Sequence, residues 1–198
     1  VMAPKDPEKQ VFIANLMPSR GSWLELEIDK KGIAYARIDR KRKLPITTLL
    51  RALPLEDPTT GFQLDTSTNE KILALFDGSV YIQNTLDKDT TTREEEALLE
   101  VFKKQRPGEP PTLDNARNLL KALFFDPKRY DLTKVGRYKL NQRLSVQVPE
   151  DVRTLTTEDI LALVKRLVDM PGKLGVPEDS KDFAADAASM GREPIRTE

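Results

Sequence analysis

The sequence predicts an α+β fold in which a small antiparallel sheet near the N-terminus is packed with four to five helices between residues 45 and 170. From Leu24 to Ile38 apolar and polar side chains alternate with the period of two of a half-buried strand, and after Pro45 the apolar residues recur with the helical period of 3.6. With 198 residues, 38% hydrophobic and 32% charged, the chain is long enough for a sizeable core in one or two domains.

The elements follow in chain order. Val1–Gln10 is a polar lead-in in which Pro4 and Pro7 oppose regular structure. Val11–Leu16 suits a first strand. Leu24, Leu26 and Ile28 alternate with Glu25 and Glu27, and Ala34, Ala36 and Ile38 form the facing run, with Lys30-Lys31-Gly32 between them. A three-residue hairpin loop ends in a left-handed residue, which Gly32 adopts without steric cost. That loop opposes Leu24 to Ile38, Leu26 to Ala36 and Ile28 to Ala34 on one face, and Trp23 to Asp39, Glu25 to Arg37 and Glu27 to Tyr35 on the other. A two-residue loop would set Leu24 against Arg37, a mismatch that argues against it.

Pro45 suits the first position of a helix carrying Leu49, Leu50 and Leu53, which Pro54–Pro58 ends. Ser67 with Glu70, and Thr92 with Glu95, have capping-box spacing ahead of apolar stripes at Ile72, Leu73, Leu75, Phe76 and at Leu98, Val101, Phe102. Asp77-Gly78 and Pro107-Gly108 stop those helices. Thr112 caps a helix with Ala116, Leu119, Leu120, Leu123 and Phe124 on one face, closed by Asp126-Pro127. Arg129–Leu144 leaves helix and loop both open, a short helix being preferred. Thr156 and Asp159 open a last helix bearing Ile160, Leu163, Val164, Leu167 and Val168, broken at Met170-Pro171-Gly172. These stripes are read as core packing. Beyond Lys173 only Ala184–Ala188 permits a helical turn or two. Residues 1–172 are thus read as one lobe domain, and 173–198 as an acidic, weakly structured tail or the start of an insertion.

Cysteine and histidine are both absent, which removes disulfides, thiol nucleophiles, structural zinc of the usual kind and every serine–histidine arrangement. No Asp-rich loop or phosphate-cradling GxxxxGK is present, so no catalytic residue, metal site or cofactor is expected. No apolar run approaches the roughly 18 residues of a membrane span, and a cytoplasmic location without membrane contact is expected. The net charge of zero hides local imbalance. Arg37–Lys43 carries four excess positive charges and Lys128–Arg143 five, whereas from Pro177 onward six carboxylates face three cations.

Trp23 admits two readings: a ring covered by another element, or a stacking platform. The run Arg40-Lys41-Arg42-Lys43 directly after the second hairpin strand is either a solvated charge run, as most are, or, with Trp23, the stacking plus phosphate attraction that single-stranded nucleic acid requires, and spacing alone leaves both open.

Three blocks, RGSWLELEID with RIDRKRKLP, then RPGEPPT at Arg106–Thr112, then LFFDPKRYDLTKVGRYKLN at Leu123–Asn141, resemble in order the second lobe of the bacterial DNA-directed RNA polymerase beta subunit. The resemblance spans roughly Phe12–Met170. After that the sequence departs from the family's DDIDHLGNRR-like block, so contacts made through that block are not carried over. The resemblance implies a part of a nucleotidyltransferase that carries no catalytic residues itself and lines the DNA cleft, touching the non-template strand and the downstream duplex. It places Trp23 and Asp39 at an unpaired non-template base near the downstream edge of the bubble. The expected site is Trp23 for stacking, Asp39 for a base edge, and Arg40, Lys41, Arg42 and Lys43 for phosphates. Arg106 either faces the same channel or braces a helix end. Expected partners are DNA, other polymerase subunits, and sigma or other transcription factors. The rival reading is a protein-interaction module in which the Trp/Arg surface docks another subunit or a factor.

Overall fold

A computed structural model describes residues 11–173. Four strands, β1 (Phe12–Leu16), β2 (Leu24–Ile28), β3 (Ala34–Ile38) and β4 (Leu44–Pro45), form an antiparallel meander in the order β1-β2-β3-β4. The β2–β3 register pairs Leu24 with Ile38, Leu26 with Ala36 and Ile28 with Ala34, as the three-residue loop requires. The loop closes through Asp29, whose N–H donates to the Ile33 carbonyl and whose carbonyl accepts from Gly32 N–H at φ +72°. Its carboxylate also accepts from the N–H groups of Lys31 and Ile33, so the turn is held by one side chain as well as by the glycine.

One sheet face is core. Ala14, Leu16 and the inward residues of β2 and β3 are at most 4% exposed. Covering them are α1 (Ile46–Ala52), α3 (Val80–Leu86) and α7 (Thr157–Lys173), the first two against β3 and the last against β1 and β2. A second layer consists of α4 (Glu94–Gln105) on α1 and α5 (Leu113–Phe124) on α4, while α6 (Thr133–Leu144) packs on α7 and α2 (Asn69–Leu75) on α3. The other sheet face carries Glu25, Glu27, Tyr35 and Arg37 half-buried. Glu25 and Arg37 are opposed in register but make no ion pair within 4 Å among the described residues, and Glu27 pairs instead with Lys43 at 3.4 Å.

The described residues form seven helices rather than four or five, and α3 is one that periodicity does not mark. Its seven residues, VYIQNTL, bury only Ile82, Thr85 and Leu86, and Val80 is 60% exposed. Its position is set across the fold by Thr85, whose hydroxyl accepts from Ala34 N–H at 2.9 Å. Three helix starts shift by a residue, the first at α1, which begins at Ile46 because Pro45 ends β4 and is the N-cap. Thr68, not Ser67, caps α2 by accepting from Lys71 N–H, because Ser67 is turned to the Asp65 carboxylate. Ahead of α4, Thr92 donates its N–H and hydroxyl to Glu96 rather than Glu95. Thr112 caps α5 as expected, and at α7 Thr156 and Asp159 satisfy each other's N–H groups reciprocally.

Arg129–Leu144 holds a full twelve-residue helix, α6, whose pattern is masked because its buried stripe contains an arginine. Arg137 is completely buried with Leu140 and Leu144, while Val135 and Tyr138 are 63% and 50% exposed. The Arg137 guanidinium makes a bidentate pair with buried Asp159 at 2.8 and 2.9 Å and donates to the carbonyls of Val152 and Thr154. Helix α7 does not break at Pro171, which lies inside it. The cost of a helical proline is the bond its missing N–H would have made, and the helix bears that loss near its C-terminal turn. The lead-in, the helical turn at Ala184–Ala188 and the tail beyond Lys173 lie outside the described residues.

Candidate nucleic-acid interface

Trp23 immediately precedes β2, and Asp39 immediately follows β3. The register holds one step beyond the strands, since Asp39 N–H donates to the Trp23 carbonyl at 2.9 Å. In return Trp23 N–H donates to Asp39 Oδ1 at 2.8 Å. Residues 38–41 then form a type I′ turn: Asp39 and Arg40 have φ of +52° and +57°, and Lys41 N–H donates to the Ile38 carbonyl at 3.1 Å. Such turns favour Asn-Gly, because a side chain in the left-handed region costs about 1–2 kcal/mol. Here the Asp39 carboxylate offsets part of that cost by anchoring to Trp23 N–H. The turn carries Arg40 back over the indole, with Cζ 4.8 Å from the ring centroid. Trp23 is half-buried, so neither full burial nor full exposure describes it.

The run of four cations is divided in its duties. Lys41 Nζ donates to the Gln105 carbonyl at the end of α4 at 2.8 Å. Lys43 Nζ lies 4.2 Å over the Tyr35 ring and pairs with Glu27. Arg40 is committed to Trp23, and Arg42 is exposed with no partner among the described residues. The Lys41 bond brings the run beside Arg106, the residue after Gln105. Arg106 itself is exposed, forms the C-cap of α4 and pairs with Glu109 at 3.4 Å.

Sequence reasoning passed over Arg20, Lys128 and Arg129. Arg20 and Asp131 exchange both backbone hydrogen bonds, at 3.2 and 2.7 Å, and Arg20 Nη2 reaches the Pro127 carbonyl at 3.4 Å. Between Arg20 and Trp23 the chain passes so close to Tyr130 that a Cβ on Gly21 would lie 2.6 Å from its ring, and Gly21 has φ +126°. Only glycine fits that crossing. The contact brings the backbone of 127–130 against Arg20 and Gly21, with Lys128 and Arg129 exposed beside it and Arg129 Nε 3.8 Å from Asp126. The available signal was the five-charge excess of 128–143, which does not say by itself where it lies in space. Asp131, whose carboxyl is held below the usual range by the Thr133 N–H and then by Arg153, anchors this junction from the other side.

The arrangement defines an α+β lobe whose single tryptophan, a carboxylate and an arginine meet at one strained turn, followed by three further cations. Residues 1–185 match the family model described as RNA polymerase Rpb2, domain 2, and the chain belongs to that family. It is 55% identical over 179 residues to the DNA-directed RNA polymerase subunit beta of Rubrobacter xylanophilus, which covers 90% of this chain and 15% of that protein. The subunits of Syntrophomonas wolfei and Gloeobacter violaceus are 48% and 45% identical over 80% and 86% of the chain, 13% and 14% of their own lengths. The chain therefore spans about a seventh of the curated relatives it matches. Among the described residues no helix is long and apolar enough to cross a membrane.

Proposed function

We propose that this domain positions DNA in a DNA-directed RNA polymerase, lining the main cleft and contacting the non-template strand and downstream duplex, while the bond chemistry is done elsewhere in the enzyme. The observation that carries this reading is the Trp23–Arg40 pair at the type I′ turn. A guanidinium on one indole face presents a rigid, positively charged aromatic ledge, suited to an unpaired base on the ring and a phosphate at the cation. Strained backbone of this kind is retained at functional sites, where its cost is set against positioning. Asp39 keeps Oδ2 available for a base-edge donor while Oδ1 holds Trp23. Arg42, Arg20, Lys128 and Arg129 extend the phosphate field, and Arg106 borders it through Gln105.

The test is the salt dependence of polymerase–DNA complexes. Each single-strand phosphate contact contributes about 0.7 to the slope of log affinity against log salt. Arg42→Ala is expected to reduce the slope by about that amount without changing base preference. An unchanged slope together with unchanged affinity would remove Arg42 from the interface, and a salt-insensitive complex would contradict the electrostatic basis of the reading.

A further inference from the structure

A different surface lies at the other end of α4. Helix α1 is only seven residues long, because Leu53 turns to extended backbone (ψ 147°) ahead of Pro54, which disfavours helical geometry in the residue before it. It therefore cannot cover the full flank of α4, and a groove of about 260 Å³ remains between α1, α4 and α5. Ala52, Leu98, Leu120 and Phe125 line its floor, and Pro54 and Pro58 its wall. Leu55, next to that wall, is 47% exposed. Arg117 and Lys121 line the same groove one turn apart on α5, both exposed and without an ion pair or side-chain hydrogen bond among the described residues. A single carboxylate, Glu94, lines it with them.

The volume falls below the roughly 300–1,000 Å³ of small-molecule pockets, so it suits one inserted side chain better than a free ligand. An apolar floor beneath a mouth with one excess positive charge matches an apolar anchor flanked by carboxylates. Nucleic acid fits less well: the one aromatic ring, Phe125, is buried and offers no stacking face, and Glu94 repels phosphate. We infer that this groove docks an acidic segment of a protein partner, which inserts one apolar side chain and sets its carboxylates against Arg117 and Lys121. From Glu94 to Gln105 the helix runs about 16 Å, so the occupant leaves the Lys41–Gln105 junction clear and can be held while DNA is bound.

The test uses the intact polymerase containing this chain and a fluorescein-labelled Glu-Glu-Phe-Glu-Glu peptide followed by anisotropy. The double variant Arg117→Glu, Lys121→Glu, both exposed positions, is expected to weaken binding at least tenfold, whereas Arg42→Ala leaves it unchanged. Replacing the peptide's phenylalanine by alanine is expected to cost a similar factor, and a Lys-Lys-Phe-Lys-Lys peptide is expected not to compete. Equal binding by wild type and double variant, or equal binding of the alanine peptide, would overturn the proposal. So would a single-stranded oligonucleotide whose affinity drops with the same two substitutions, since the groove would then be a nucleic-acid surface.

Discussion

Truncating Trp23 to alanine separates the two things its ring does. The backbone bonds between Trp23 and Asp39 use main-chain atoms of Trp23 and survive the change. What is lost is half-buried apolar surface and the guanidinium contact with Arg40. A fully buried tryptophan costs about 3–5 kcal/mol on truncation, and an exposed cation–π pair contributes about 0.5–1 kcal/mol. Half the burial plus that pair gives about 2–3.5 kcal/mol, which in a domain of this size lowers Tm by about 4–14 °C. Loss of base stacking is a separate effect of about 1–3 kcal/mol, or about fivefold to about 150-fold in the lifetime of a polymerase–promoter complex. Thermal unfolding of the chain and complex lifetime in the assembled polymerase, measured on Trp23→Ala and Trp23→Phe, distinguish the two effects. The phenylalanine variant is expected to recover most of the lifetime. A stability loss of about 3–5 kcal/mol with no change in lifetime would make Trp23 a core residue and refute the stacking role.

Asp39→Asn keeps an oxygen for the Trp23 N–H and tolerates the left-handed backbone, but replaces an acceptor by a donor at the free position; promoter-variant competition is expected to show altered base preference with little loss of overall affinity. Arg137→Met leaves Asp159 buried and unpaired, so urea unfolding is expected to show a loss of about 3–5 kcal/mol, and a loss below 1 kcal/mol would mean that the pair behaves as a surface one. The Asp65 carboxyl sits at about 2, against 3.8 ordinarily, chiefly because Lys71 and then Ser67 donate to it. The folded form thus holds that proton less tightly than the unfolded chain, and its stabilisation, complete above pH 3.8, disappears as pH falls towards 2. Urea midpoints across that window are expected to fall less steeply in Asp65→Asn, and parallel curves would refute the assignment.

Much of the fold is legible in the chain because its determinants are local. The β2–β3 register follows from a three-residue loop and six alternating apolar side chains, all within fifteen residues, and the caps of α5 and α7 lie three residues from the groups they satisfy. The same hairpin opposes Trp23 to Asp39, so two of the candidate site residues were placed by sequence alone. What tertiary structure decided are contacts between residues far apart in sequence, whose partners no periodicity names. Arg137 reads as a surface cation until Asp159 and the 152–154 carbonyls surround it, and that burial hides the stripe of α6. Helix α3 depends on Thr85 meeting Ala34 across the core. The division of duties among Arg40, Lys41, Arg42 and Lys43 is likewise spatial, because a charged side chain is free until a ring, a carbonyl or a carboxylate comes within reach. Trp23, Gln105 and Glu27 hold three of these cations, and only the packed fold leaves Arg42 exposed and joins Arg20 to Pro127 and Asp131.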